Sequence, residues 1–268
     1  MSTQVDLFTT VEPTSVSPAI AKPFVSRSTF YQGDCLVEMD KIADKSVDMI
    51  LCDLPYGMTS NKWDCEIELS ILWQQYDRVL KTNGIIALTA GQPFTSKLVS
   101  SNFEMFRNEW IWNKDRGSNF ANTVREPMKE HESILIFSKG KWTYNKQMEE
   151  RKGSGLARAK QKFHWKPNSE NYRLMEEKKA DSIPDLRVPS SVQFFNCERG
   201  LHPTQKPTAL MEYLIKTYTN EGETVLDNCM GSGTTGVACK KTGRHFIGIE
   251  KDPKYFEIAV SRVSAYCG

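Results

Sequence analysis

One stretch restricts the possible folds more than any other: Val225-Leu226-Asp227-Asn228-Cys229-Met230-Gly231-Ser232-Gly233-Thr234-Thr235-Gly236. A short apolar run enters a glycine turn and then small residues suited to the start of a helix. An acid, Glu250, closes the next apolar run, Phe246 to Ile249. Strand, glycine loop, helix, strand and acid in this order predict a parallel α/β sheet that holds a nucleoside cofactor at its carboxyl edge. The literal G-x-G-x-x-G match also fits a dinucleotide, but the charge does not. Asp227 stands where the cofactor would lie, and a carboxylate there repels a pyrophosphate while attracting an ammonium or a sulfonium. S-adenosylmethionine carries both cations, and its carboxylate can take the backbone N–H groups of a helix start. The plainer alternative is a tight turn with a capping aspartate.

The rest of the chain keeps the alternation of short apolar runs and amphipathic stretches, as an α/β fold requires. Val47 to Cys52 is a buried-strand pattern, and Leu69, Leu72, Trp73, Tyr76 and Leu80 share one face of a predicted helix over 69–80. Asn83-Gly84 should end that helix before a strand at Ile85 to Thr89, with further strands near Glu109–Trp112 and Ser133–Phe137. Later come a helix over Thr208–Tyr218, strands at Thr224–Leu226 and Phe246–Ile249, a helix to about Lys241 and a last helix from Pro253. Residues 139–200 break the pattern: they are basic and carry Pro167, Pro184 and Pro189. The expected organisation is a flexible arm over 1–28, a first half of the main domain over 29–138, an insertion over 139–200 and a second half over 201–268.

Asp53-Leu54-Pro55-Tyr56 directly follows the strand at Val47, so it too falls at a carboxyl end of the sheet. Such a turn suits an aromatic amine, whose lone pair is delocalised and therefore a poor nucleophile. Two acceptors on its two N–H bonds, the Asp53 carboxylate and the Leu54 carbonyl, would favour a pyramidal amine with its lone pair aimed at an electrophile. Pro55 would stiffen the turn, and Tyr56 would stack on a base taken out of its helix. A strand-ending turn with a buried tyrosine is the bland alternative.

Composition narrows the partners. The net charge is only +2, yet between Lys139 and Lys166 there are nine Lys or Arg against two Glu, a local excess of about +7 that marks a polyanion site. Trp142, Tyr144, Phe163 and Trp165 are interleaved with that charge, as in surfaces that grip phosphates and read bases. Seven cysteines without a C-x-x-C pair suggest reduced thiols, with neither a disulfide framework nor a zinc site. The first 28 residues lack a secretory signal, and no apolar run is long enough to span a bilayer, so a soluble intracellular protein is expected.

With these motifs in hand, DLPYG at 53–57, HPTQKP at 202–207 and VLDNCMGSGTT at 225–235, the chain resembles the amino-DNA methyltransferases of the beta order, in which the catalytic motif precedes the cofactor loop. The resemblance runs from about Thr29 to Val263, the insertion excepted. It implies a Rossmann-like seven-stranded sheet with helices on both faces and a target-recognition region in 139–200. It also implies S-adenosylmethionine as donor, no metal, and duplex DNA as substrate in a bacterial or phage cytoplasm, at the nucleoid. By that likeness Asp53 and Leu54 accept the amine, Pro55 belongs to the same motif and Tyr56 stacks. Asp227, Gly231, Ser232, Gly233 and Thr234 hold the donor, Glu250 takes its ribose, and Asp34 and Cys35 lie by its adenine. Thr204 and Lys206 meet its methionine end. Aspartate rather than serine at the first motif position points to adenine N6, with cytosine N4 as the alternative. A non-catalytic DNA-binding protein and an RNA or protein methyltransferase are less supported. Two departures stand out: Leu54 and Asn228-Cys229 replace the family's Pro and Pro-Phe, the latter removing an aromatic wall near the donor. Gln4-Val5-Asp6-Leu7-Phe8 is similar to the peptide that docks on the bacterial sliding clamp. Monomer and homodimer both remain open.

Overall fold

The computed structural model describes residues 26–57, 66–159, 185–198, 200 and 204–266. The clamp-like peptide, most of the loop after Tyr56, and His164 with its aromatic neighbours lie outside these residues.

An eight-stranded sheet forms the centre. Its strands are β1 (Ser28–Gln32), β2 (Val47–Asp53), β3 (Leu80–Ala90), β4 (Phe106–Ser118), β5 (Lys129–Phe137), β8 (Val192–Phe195), β9 (Thr224–Asp227) and β10 (His245–Glu250). They lie in the order β1-β10-β9-β2-β3-β5-β4-β8, and β5 alone runs against its neighbours. The expected count was seven. The eighth strand, β8, comes from the supposed insertion, which adds a parallel edge to β4. A two-stranded ribbon, β6 (Glu149–Glu150) with β7 (Leu186–Arg187), and a short helix α4 (Ser154–Ala159) complete the described part of that segment.

Buried strands explain the continuous apolar runs. Along β3, Ile86, Leu88 and Ala90 face one core while Ile85 and Ala87 face the other, so both sides of the sheet need apolar residues. Helices α1 (Cys35–Glu38), α2 (Leu69–Val79) and α3 (Phe94–Ser101) accompany the first core, where Leu72, Tyr76 and Leu98 are fully buried. Helices α5 (Thr208–Tyr218), α6 (Thr234–Thr242) and α7 (Pro253–Ser264) cover the second with Leu210, Leu214, Ala238 and Ala259. The helix expected to reach Leu80 ends at Val79. Leu80 already pairs with Val47, the ladder resumes at Ile85 opposite Met49, and Lys81-Thr82-Asn83-Gly84 bulges between them. β4 and β5 are longer than expected, because polar residues extend them as a hairpin beyond the core.

β2 and β9 are neighbours, and the chain proceeds outward from them in opposite directions, β2 toward β3 and β9 toward β10. Such a switch point opens a crevice at the carboxyl ends of the two strands. Asp53 ends one of these strands and Asp227 the other.

Candidate active site

A cavity of about 500 Å3 occupies that crevice. Its walls include Asp53, Leu54 and Pro55 from one motif, Asp227, Gly231, Ser232 and Thr234 from the other, and Asp34, Cys35, Thr204, Lys206 and Glu250 besides. The two motifs, 170 residues apart in sequence, therefore open into one space.

The glycine loop is built from its own backbone. Glu250 at the end of β10 accepts the Gly231 N–H at 2.8 Å and the Asp252 N–H at 2.8 Å, and its main-chain oxygen accepts from Gly33 at 3.0 Å. Asp227 accepts from the Thr235 hydroxyl at 2.6 Å and the Cys229 N–H at 3.2 Å. Burial pushes its pKa up to about 7, the donors of Thr235 and Cys229 offsetting only part of that. Asp227 is thus a turn-stabilising aspartate, close to the plainer alternative although Gly233 takes the N-cap of α6, and also a buried carboxylate at a ligand cavity. Asp34 caps α1 through the Leu36 N–H and pairs with Lys251 at 3.0 Å. Gly231 and Gly233 both take positive φ, 50° and 77°, which the turn into α6 demands. Gly233 does not line the cavity. A Cβ there would meet Ala259 at 3.0 Å, so this glycine lets α6 approach α7 instead. Arg262, unremarked in the sequence, reaches from α7 to the Ser232 carbonyl at 3.2 Å and the Thr234 hydroxyl at 3.1 Å.

At the other end every bond converges on Asp53. Tyr56 donates its hydroxyl to Oδ1 at 2.9 Å, Thr89 on β3 donates to the same oxygen, and Lys206 Nζ sits 2.6 Å from Oδ2. A carboxylate offers about four acceptor positions. Among the described residues two on Oδ1 and one on Oδ2 are used, leaving one on Oδ2. Burial, then the charge of Asp53, raises the Tyr56 pKa, so the hydroxyl stays a donor. The Tyr56 ring stacks on Phe94 at 5.0 Å and 26°, a second aromatic that sequence spacing did not expose. Lys206 also lies 3.3 Å from Glu132 on β5, and Glu132 pairs with Lys114 on β4 at 2.5 Å. Burial alone would discharge Lys206, but Asp53 and Glu132 outweigh it and raise its pKa.

Lys206 lines the cavity, and its ammonium is directed to Asp53 and Glu132. Trp142 packs against the second core and is a packing residue, whereas Tyr144 lies beside Tyr218 at 6.1 Å and stays 40% exposed. Cys229 stands where the aromatic wall is missing, and Asn228 before it accepts from the buried Tyr76 hydroxyl at 2.7 Å and anchors the loop to α2.

The lining suits a cationic nucleoside. Asp227 is 4% exposed and bonded by a hydroxyl and a backbone N–H, and Gln205, also in the wall, has a buried amide oxygen without a hydrogen-bond donor among the described residues.

The DNA methylase profile, which spans adenine-N6 and cytosine-N4 enzymes, matches residues 47–261. This chain belongs to that family. The methylase is 30% identical over 242 residues to the Type II methyltransferase M.HpaI of Haemophilus parainfluenzae, which covers 85% of this chain and 71% of M.HpaI. Among solved structures it is similar to the M1.HpyAVI–SAM complex, with 26% identity, a TM-score of 0.59 and coverage of 88% of this chain and 99% of that one. The cytosine-N4-specific PvuII DNA methyltransferase shares the fold at 14% identity and TM-score 0.64, covering 88% of this chain and 86% of that one. The methylase is an amino-DNA methyltransferase with the Rossmann-like architecture expected, and S-adenosylmethionine is its methyl donor.

Proposed function

We propose that the methylase modifies N6 of adenine in duplex DNA, with the target base extruded into the Asp53 end of the cavity. The observation that carries this reading is an acceptor position on Asp53 Oδ2 left open by the described residues, at the wall of the same cavity that Asp227 and Glu250 line. One amine N–H takes that position and the Leu54 carbonyl takes the other, which turns the amine lone pair toward the donor end. S-adenosylmethionine, when bound, supplies an electrophilic methyl group on a sulfonium. The Asp53 carboxylate stabilises the positive charge that grows on the amine nitrogen. Tyr56, backed by Phe94, offers its other face to the base. The aspartate at position 53 is the residue by which the family resemblance favours adenine over cytosine.

At the donor end, Asp227 and the Gln205 amide oxygen face the cations, Gly231, Ser232 and Thr234 surround the methionine end with Thr204, and Glu250 has lone pairs left for ribose hydroxyls. Asp34 and Cys35 border the adenine. Two surfaces suit the duplex. One is the basic stretch within 139–200. The other is the β4–β5 hairpin, which rises from the strands of Lys114 and Glu132 and presents Arg116, Arg125 and Lys129 around the exposed Phe120 and Val124. Residues 29–138 and 201–268 are then the catalytic and donor halves, and residues 4–8 a docking peptide for the sliding clamp.

Methyl-labelled donor and duplex DNA test the reading. After digestion to nucleosides the label should travel with N6-methyldeoxyadenosine. Label in N4-methyldeoxycytidine would overturn the choice of base, and label in neither would overturn catalysis.

A further inference from the structure

Four buried or half-buried side chains of alternating charge form a chain behind the amine site: Asp53, Lys206, Glu132 and Lys114, linked by contacts of 2.6, 3.3 and 2.5 Å. They come from β2, the loop before α5, β5 and β4, so only the fold brings them together. We infer that Lys206 and Glu132 are positioning residues for methyl transfer: Lys206 is the counter-charge that aims Asp53 at the amine, and Glu132 retains Lys206. The inference rests on Asp53 being the amine acceptor.

The geometry shows why a lysine is needed. Lys206 is 8% exposed and takes Oδ2, the oxygen that keeps one position open. A monodentate ammonium fills one lone pair and leaves the other, whereas a bidentate guanidinium would close both oxygens. Thr89 and Tyr56 fix Oδ1, so the open lone pair has one direction. Electrostatics adds a second reason. Without Lys206, the carboxylates of Asp53 and Glu132 would face each other with no ammonium between them, and two such groups hold a proton more readily than either alone. A protonated Asp53 is a donor and no longer holds an amine. The other groups facing Asp53 do not replace the lysine: Tyr56 and Cys52 are held neutral by burial, and Asp227 on β9 is itself an acid. Lys114 reaches Asp53 only through Glu132. Burial works against the charge of Glu132, and Lys206 and Lys114 together outweigh it, lowering its pKa.

The test is the pH profile of single-turnover methylation at saturating donor and DNA, where the bound cationic donor favours the ionised form of Asp227 in every variant. Lys206→Met should slow transfer at pH 7 by roughly tenfold or more and move the acid limb upward by about one pH unit or more. Adding Glu132→Gln to that variant removes the competing carboxylate and should bring the limb back toward the wild type. An unmoved limb in Lys206→Met, or a limb as displaced in the double variant as in the single, overturns the proposal. If Lys206→Met does not fold, Glu132→Gln alone decides: loosening Lys206 should slow transfer at pH 7 several-fold with the limb at or below that of the wild type, and an unchanged rate or an upward limb overturns the proposal. Asp53→Ala in the same series separates the two readings. Full rate there removes the amine-acceptor role itself, while a dead Asp53→Ala beside an unmoved Lys206→Met removes only the part given to Lys206.

Discussion

The two ends of the cavity solve opposite electrostatic problems. At the donor end the carboxylates of Asp227 and Glu250 are satisfied by backbone N–H groups and a hydroxyl, with no ammonium or guanidinium bonded to either among the described residues. At the amine end Asp53 is tied to a lysine within an alternating chain of charges. The first end is left short of positive charge, which a cationic donor supplies. The second is already neutral, which suits an uncharged base. A site that must hold a cation and a neutral amine side by side can thus distinguish them by which of its acids has been provided with a counter-ion.

The contrast breaks most visibly at Asp53. Asp53→Ala should lower methyl transfer by about a thousandfold or more while leaving donor affinity within a few-fold, because it removes an acceptor from one end only. Calorimetry of donor binding beside single-turnover kinetics checks both halves, and a large loss of donor affinity would show that the ends are not separable. Glu250→Ala should do the reverse. With the Gly231 N–H no longer held, the donor dissociation constant rises by roughly ten- to a hundredfold, and the rate at saturating donor changes much less. The smallest effect is in pH. Burial pushes the Asp227 pKa up to about 7, so the acid is ionised above that value and neutral below it. A cationic donor prefers the ionised form, and its affinity should fall several-fold between pH 7.5 and 6, with Asp227→Asn showing a flatter profile. Affinity that rises toward low pH would contradict the role of Asp227.

Legibility in the sequence followed the same division. The donor loop is local: strand, glycines, helix start and the acid at the next strand end lie within 27 residues, and their spacing alone put Asp227 and Glu250 at one rim. The helices over Thr208–Tyr218 and from Pro253 were equally legible, the second through its Asp252 cap and first-turn proline. Thr89, Phe94, Glu132 and Lys114 carried no signal, because each is an ordinary strand or helix residue whose meaning depends on a partner dozens of residues away. Lys206 was noticed for the donor end, and only the fold shows its ammonium at Asp53. Its motif borders the donor in sequence, yet its four-carbon stem carries the charge across to Asp53. Gly233 was assigned to the donor by its place in the loop, although the constraint on it comes from Ala259 on α7. Within the basic stretch, Trp142 resembled a base-stacking residue, but it packs against the second core.

By itself, the sequence determined the class of fold, the two motifs and the sign of charge each presents, since periodicity and local turn chemistry act between near neighbours. The tertiary structure decided that both motifs open into one cavity, that an eighth strand is recruited from the basic segment, and that a lysine and a glutamate stand behind Asp53. Those outcomes rest on strand order and on side chains meeting across the sheet, and such contacts have no period along the chain.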